Sequence, residues 1–90
     1  MLTMTDVSIS LSKPIEHEGK TVTSMTFHEA SLGDLAVTDA AAGGVAKTIL
    51  LLAALSGQTE ELVRKIKAVD LDAILEKVEP LTGNFFKANG

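Results

Sequence analysis

Val7-Ser8-Ile9-Ser10-Leu11-Ser12 alternates apolar and hydroxyl side chains at every position, the period-two pattern of a strand with one buried and one wet face. A second stretch rich in β-formers, with Thr21, Val22, Thr23, Met25, Thr26 and Phe27, follows the acidic phrase Glu16-His17-Glu18-Gly19. Gly19 takes a left-handed backbone without steric cost, so His17-Glu18-Gly19 reads as a three-residue hairpin loop closed by Glu16 and Lys20. That closure sets Leu11 against Met25, Ile9 against Phe27 and Ser10 against Thr26. Apolar groups then share one face and hydroxyls the other. Pro14 has no N–H to give the ladder, which predicts an interruption there, opposite Val22. The best-paired part falls between residues 7–12 and 24–28.

After the hairpin the pattern turns helical. Ser31 suits an N-cap, with Asp34 in the first turn and Leu32, Leu35 and Ala36 as the apolar stripe. The adjacent Gly43 and Gly44 mark a break, each costing roughly 1 kcal/mol against Ala in a helix. A second helix over residues 45–56 ends at Gly57, which fits a C-cap. Thr59 starts a third, with Glu60 and Glu61 first and Arg64, Lys65 and Lys67 last, the charge order a helix dipole favours. Asp70 reads as the cap of a fourth, whose Leu71, Ile74, Leu75 and Val78 follow helical spacing until Pro80. The expectation is an α+β fold in one domain over residues 1–90. It has an N-terminal antiparallel β-hairpin (about 7–28) followed by a small bundle of about four short helices (31–39, 45–56, 59–67 and 70–79) and a frayed tail at 81–90.

Composition narrows the function. The 90 residues hold 8 Lys+Arg against 12 Asp+Glu, a net charge of −4, and 46% hydrophobic residues. A chain this short leaves roughly two-fifths of its surface wet on folding, so a spare apolar face is conspicuous. There is no cysteine, which excludes disulfides, thiolate zinc sites and a thiol nucleophile. Negative charge and 3% aromatics argue against nucleic acid as partner. The longest apolar run, residues 49–55, falls far short of the roughly 20 needed to span a membrane. The N-terminus also lacks the basic-then-apolar order of a signal peptide.

Catalytic motifs are not found. Gly43-Gly44-Val45-Ala46-Lys47-Thr48 imitates a phosphate loop, but the motif needs Gly directly before the Lys, where Ala46 stands, and no strand precedes it. His17-Glu18 and His28-Glu29 lie at opposite ends of the hairpin, so they read as exposed turn and strand-end histidines and not as shared metal ligands. The acids Asp34, Asp39, Glu60, Glu61, Asp70 and Asp72 sit at helix starts or in connections, where caps account for them. The expectation is no enzyme, no catalytic residue, no cofactor and no metal.

The informative feature is the second helix. Ile49, Leu50, Leu51, Leu52, Ala53, Ala54 and Leu55 cover its whole circumference, so every side needs covering. Two readings stand: the central helix of a compact core, or a helix that keeps a face for a partner or a second copy. Phe85 and Phe86 pose the same choice, either folding back as a lid or anchoring a partner. Ile49, Leu52, Leu55, Phe85 and Phe86 are the candidate partner-binding residues, chosen for their apolarity.

The order of phrases resembles the tail assembly chaperones of contractile and long-tailed phages, the Mu-like and P2-like family. Those phrases are Ser12-Lys13-Pro14-Ile15, Gly19-Lys20-Thr21-Val22, Met25-Thr26-Phe27-His28-Glu29 and Ser31-Leu32-Gly33-Asp34-Leu35. The run Leu52-Ala53-Ala54-Leu55 with Gly57, then Thr59-Glu60-Glu61-Leu62 and Asp70-Leu71, completes them over residues 7–79. Residues 40–44 depart from the family pattern, where a continuous and more charged helix is expected. That departure bears on the length of the second helix.

The resemblance implies a small protein of the host cytoplasm, active in virion morphogenesis and absent from the mature particle. Such a chaperone binds the tape measure protein, keeps it soluble and helps tail tube protein assemble around it, with self-association as a further possibility. The family often makes a second, longer product by ribosomal slippage, and Phe85-Phe86 fit a slippery codon track. The alternative reading is a minor structural tail or head–tail connector protein. A DNA-binding regulator would have only Lys65 and Lys67 as its basic cluster.

Overall fold

A computed structural model of the chain describes residues 6–82. The strand β1 (Val7–His17) turns back into β2 (Lys20–Phe27), and the two form an antiparallel sheet. Four helices follow: α1 (Leu32–Ala36), α2 (Gly44–Ser56), α3 (Glu60–Val63) and α4 (Ala68–Val78). Single 3₁₀ turns extend α1 over Val37–Ala40 and α4 over Glu79–Thr82, the latter carrying Pro80. The expected α+β order of hairpin, then helices, is what forms.

The hairpin differs from expectation in its turn. The loop is Glu18-Gly19 alone, with φ of 51° and 78°, and His17 pairs with Lys20. Two consecutive left-handed residues give the mirror-image turn whose twist matches that of the flanking strands, so a third loop residue is not needed. Pairing runs Ile15 with Val22 near the turn and Ile9 with Met25 further out, with a register shift between Ser10 and Ile15. Leu11 therefore does not face Met25, nor Ile9 face Phe27. The outer register slips from expectation by two residues, an even number, and so each side chain keeps its face. The interruption takes in Pro14 as predicted, but Val22 pairs with Ile15 and does not stand opposite the proline. Ile9, Leu11, Ile15, Met25 and Phe27 are buried. On the wet face Ser8 and Thr26 share a hydrogen bond of 2.8 Å.

The buried hairpin face lies on α2 and α4. Leu51, Leu52 and Leu55 of α2, Leu62 and Val63 of α3, and Ile74 and Val78 of α4 complete one core. The end of β2 is tied down by two backbone bonds, His28 N–H to the Leu55 carbonyl at 3.0 Å and Ala30 N–H to the Leu81 carbonyl at 2.9 Å. Ser31 caps α1 through a full capping box with Asp34, Thr59 caps α3, and Gly57 ends α2 with φ of 73°.

Three helical expectations need correction. Leu32 and Ala36 are exposed, Leu32 at 85%, because a helix of five residues presents little more than Leu35 to the core. The third helix stops at Val63 instead of 67, since Lys65 and Ile66 donate to the carbonyls of Leu62 and Val63 and wind the chain into tighter turns. Asp70 does not cap α4. The N-cap is Lys67, which has no side-chain bond there, and Asp70 sits one turn in with its carboxylate directed at the hairpin.

Candidate functional site

The register break in β1 releases backbone donors, and Asp70 collects them. Its Oδ1 accepts from the Ser12 N–H at 3.0 Å and the Ser12 hydroxyl at 2.6 Å, while Oδ2 accepts from the Lys13 N–H at 3.2 Å. Asp70 is 6% exposed. Its pKa lies below the ordinary 3.8, mostly through the Ser12 hydroxyl and then the Ser12 N–H. Burial opposes the shift, and the N–H and charge of Lys13 reinforce it. This clamp docks α4 on the hairpin and fixes one wall of what lies beside it.

That neighbouring feature is an apolar groove of 260 Å³ between α2 and the α3–α4 connection. Val45, Thr48, Ile49 and Leu52 form one side, and Val63, Ile66, Ala68 and Leu71 the other, with Arg64 at the edge. The α2 residues stand at i, i+3, i+4 and i+7, one stripe of a helix. Val45 is 73% exposed, Ile49 half-buried and Leu52 buried at the floor. Val69, in the first turn of α4, is 69% exposed. A second hollow, lined by Pro14, Ile15, Glu16, Lys65 and Lys67, shares Arg64, Ile66 and Ala68 with it.

The all-round apolarity of α2 thus has a spatial explanation. Leu51 and Leu55 face the hairpin core, Leu50, Ala53 and Ala54 line a shallow hollow with Val37, and the stripe from Val45 to Leu52 faces the groove. Of the candidate partner-binding residues, the structure brings Ile49 and Leu52 together in the groove and encloses Leu55 in the core. Phe85 and Phe86 lie outside the described residues. Sequence reasoning missed Val45, Arg64 and Leu71. The i, i+3, i+4, i+7 spacing from Val45 was the signal available, masked by the uninterrupted leucines after it.

A second constellation was also missed. His17, expected to be an exposed turn residue, is 9% exposed. Lys65 covers it, placing Nζ 3.1 Å from Nδ1 and donating to the Glu16 carbonyl at 3.0 Å. Carboxylate oxygens of Glu18 and Glu61 lie 3.9 and 3.8 Å from Nε2. His28 is exposed as expected, its ring spanning the Glu29 and Ala54 carbonyls.

Among the described residues no helix is long and apolar enough to cross a membrane. No curated protein and no solved structure gives a significant match. A sequence profile described as phage tail assembly chaperone proteins, E, or 41 or 14, matches residues 8–83, which takes in the hairpin, all four helices and both sides of the groove. The chain belongs to the phage tail assembly chaperone family.

Proposed function

We propose that this protein binds the tape measure protein during tail assembly, keeps it soluble and promotes assembly of tail tube protein around it. Family membership supports a non-enzymatic role among tail proteins. The single observation that carries the finer reading is the groove, an open apolar trough on a body of net charge −4. A protein of net negative charge with an unshielded apolar strip suits transient capture of an aggregation-prone chain. The groove fits the apolar face of an amphipathic helix, and Arg64 in its lining favours one with an acidic flank. Val45 and Ile49 form the contact, with Leu52 as the floor. Phe85 and Phe86 are proposed as additional anchors on their apolarity alone. Leu55 supports the helix from within. The site of action is the host cytoplasm, and the protein leaves before the virion matures.

Co-expression with the tape measure protein tests the docking reading. The wild-type chain raises soluble tape measure protein and is retained with it on affinity resin. Val45→Asp combined with Ile49→Asp lowers retention at least tenfold, roughly the loss of one interface hot spot. Circular dichroism of the double variant stays native. Equal retention of the double variant overturns the groove as the docking site. Mass spectrometry of purified particles tests the chaperone reading itself, since stoichiometric presence there would mean a structural tail or connector subunit.

A further inference from the structure

The cluster at the hairpin tip has the chemistry of a metal site. His17 ends β1, Glu18 opens the turn, and Glu61 projects from α3. One ligand atom from each lies within 4.8 Å of the others. The imidazole is nine-tenths buried, and no hydrogen bond reaches its Nε2 from the described residues. Instead Nε2 faces the carboxylates of Glu18 and Glu61 at 3.9 and 3.8 Å, too far for a hydrogen bond. Ligand bonds to zinc are about 2.0–2.2 Å, so two ligands of one ion stand roughly 3–4 Å apart. Both carboxylates are largely exposed, at 79% and 73%, and adjust at little cost. One imidazole nitrogen with two carboxylates is a donor set suited to zinc, with a fourth position left to water.

Lys65 is the control element. Its ammonium only donates, so at 3.1 Å it holds Nδ1 as an acceptor and keeps the ring proton on Nε2, where a metal would bind. We propose that His17, Glu18 and Glu61 bind one divalent cation of the zinc class, in competition with the contact between Lys65 and His17. On binding, the ring proton transfers through solvent from Nε2 to Nδ1, and Nε2 donates its lone pair to the ion. Lys65 withdraws from the imidazole and keeps the Glu16 carbonyl, 3.0 Å away. The exchange releases no net proton, and it fastens the hairpin tip to α3 through a metal in place of an ammonium. The site lies on α3 and the turn, so it stands independently of the tape-measure reading.

Zinc chloride titrated into the full chain is the test, read by thermal denaturation and by nitrogen-15 NMR of the histidine rings. Zinc raises the melting temperature saturably and moves the His17 ring proton to Nδ1, leaving the His28 ring unchanged. His17→Gln abolishes the response and His28→Gln retains it. Glu61→Gln weakens zinc binding by about tenfold or more, and Lys65→Met tightens it by a similar factor. The lysine variant decides the matter, because loss of a merely structural contact would not strengthen metal affinity. No saturable response in the wild-type chain, a response that survives His17→Gln, or weaker binding by Lys65→Met each overturns the proposal.

Discussion

Glu18 holds φ at 51° in a position that Asn or Gly fills more readily, and the left-handed region costs an ordinary L-residue roughly 1–2 kcal/mol. Glu18→Asn in front of Gly19 forms the preferred hairpin turn and is expected to add about 0.5–1 kcal/mol, read as a higher urea midpoint. The same variant removes a carboxylate from the His17 cluster. Asp70 works in the opposite sense. Its carboxylate has a lowered folded pKa, so the stabilisation is fully present above the unfolded value of 3.8 and is lost as pH falls through the lower folded value. Urea midpoints of the wild-type chain fall across that acid window. Asp70→Asn is less stable at neutral pH and gives a flatter profile there, because it cannot ionise and leaves the Ser12 and Lys13 donors more weakly satisfied.

At the scale of elements, short helices survive here through their ends. The five residues of α1 and four of α3 are too few to be stable as isolated helices. Each has a side-chain N-cap, Ser31 bonded to the Asp34 N–H at 3.2 Å and Thr59 to the Leu62 N–H at 3.2 Å. Ser31→Ala is expected to cost about 1 kcal/mol and to speed amide exchange in α1 before any other element. At the other end of α2, Gly57 meets no neighbouring atom within 4 Å of an added Cβ, yet its φ of 73° disfavours one. Gly57→Ala therefore destabilises by roughly 1 kcal/mol through backbone conformation alone, measurable by chemical denaturation.

For the whole molecule, a single core joins hairpin and helices, so its stability resides in a few side chains. Phe27 is fully enclosed, and Phe27→Ala is expected to cost about 3–5 kcal/mol. That is a large share of the roughly 5–15 kcal/mol a domain possesses, and circular dichroism should show a partly unfolded population. Val45→Asp makes the contrast. At 73% exposure it leaves the melting temperature nearly unchanged, within about 0.5 kcal/mol, while removing apolar area from the groove. The core thus tolerates little substitution where Val45, at the exposed end of the docking strip, tolerates much, which lets binding and folding be measured apart.

Where the physical cause lies within a few residues, the sequence by itself determined much of the outcome, though not the two-residue turn at Glu18-Gly19 or the early end of α3. The hydroxyl and apolar faces of the hairpin follow from strict alternation, the left-handed Gly19 and Gly57 from the missing Cβ, and the caps at Ser31 and Thr59 from side chains that reach three residues ahead. The apolar ring of α2 was equally visible, but not its division. Only the tertiary structure decided that Leu52 and Leu55 go inward while Val45 and Ile49 edge an open groove, because that depends on where the α3–α4 connection passes. Distance along the chain hid the rest. Asp70 satisfies the β1 register break from 58 positions away and Lys65 covers His17 from 48, and no local pattern encodes a partner so remote.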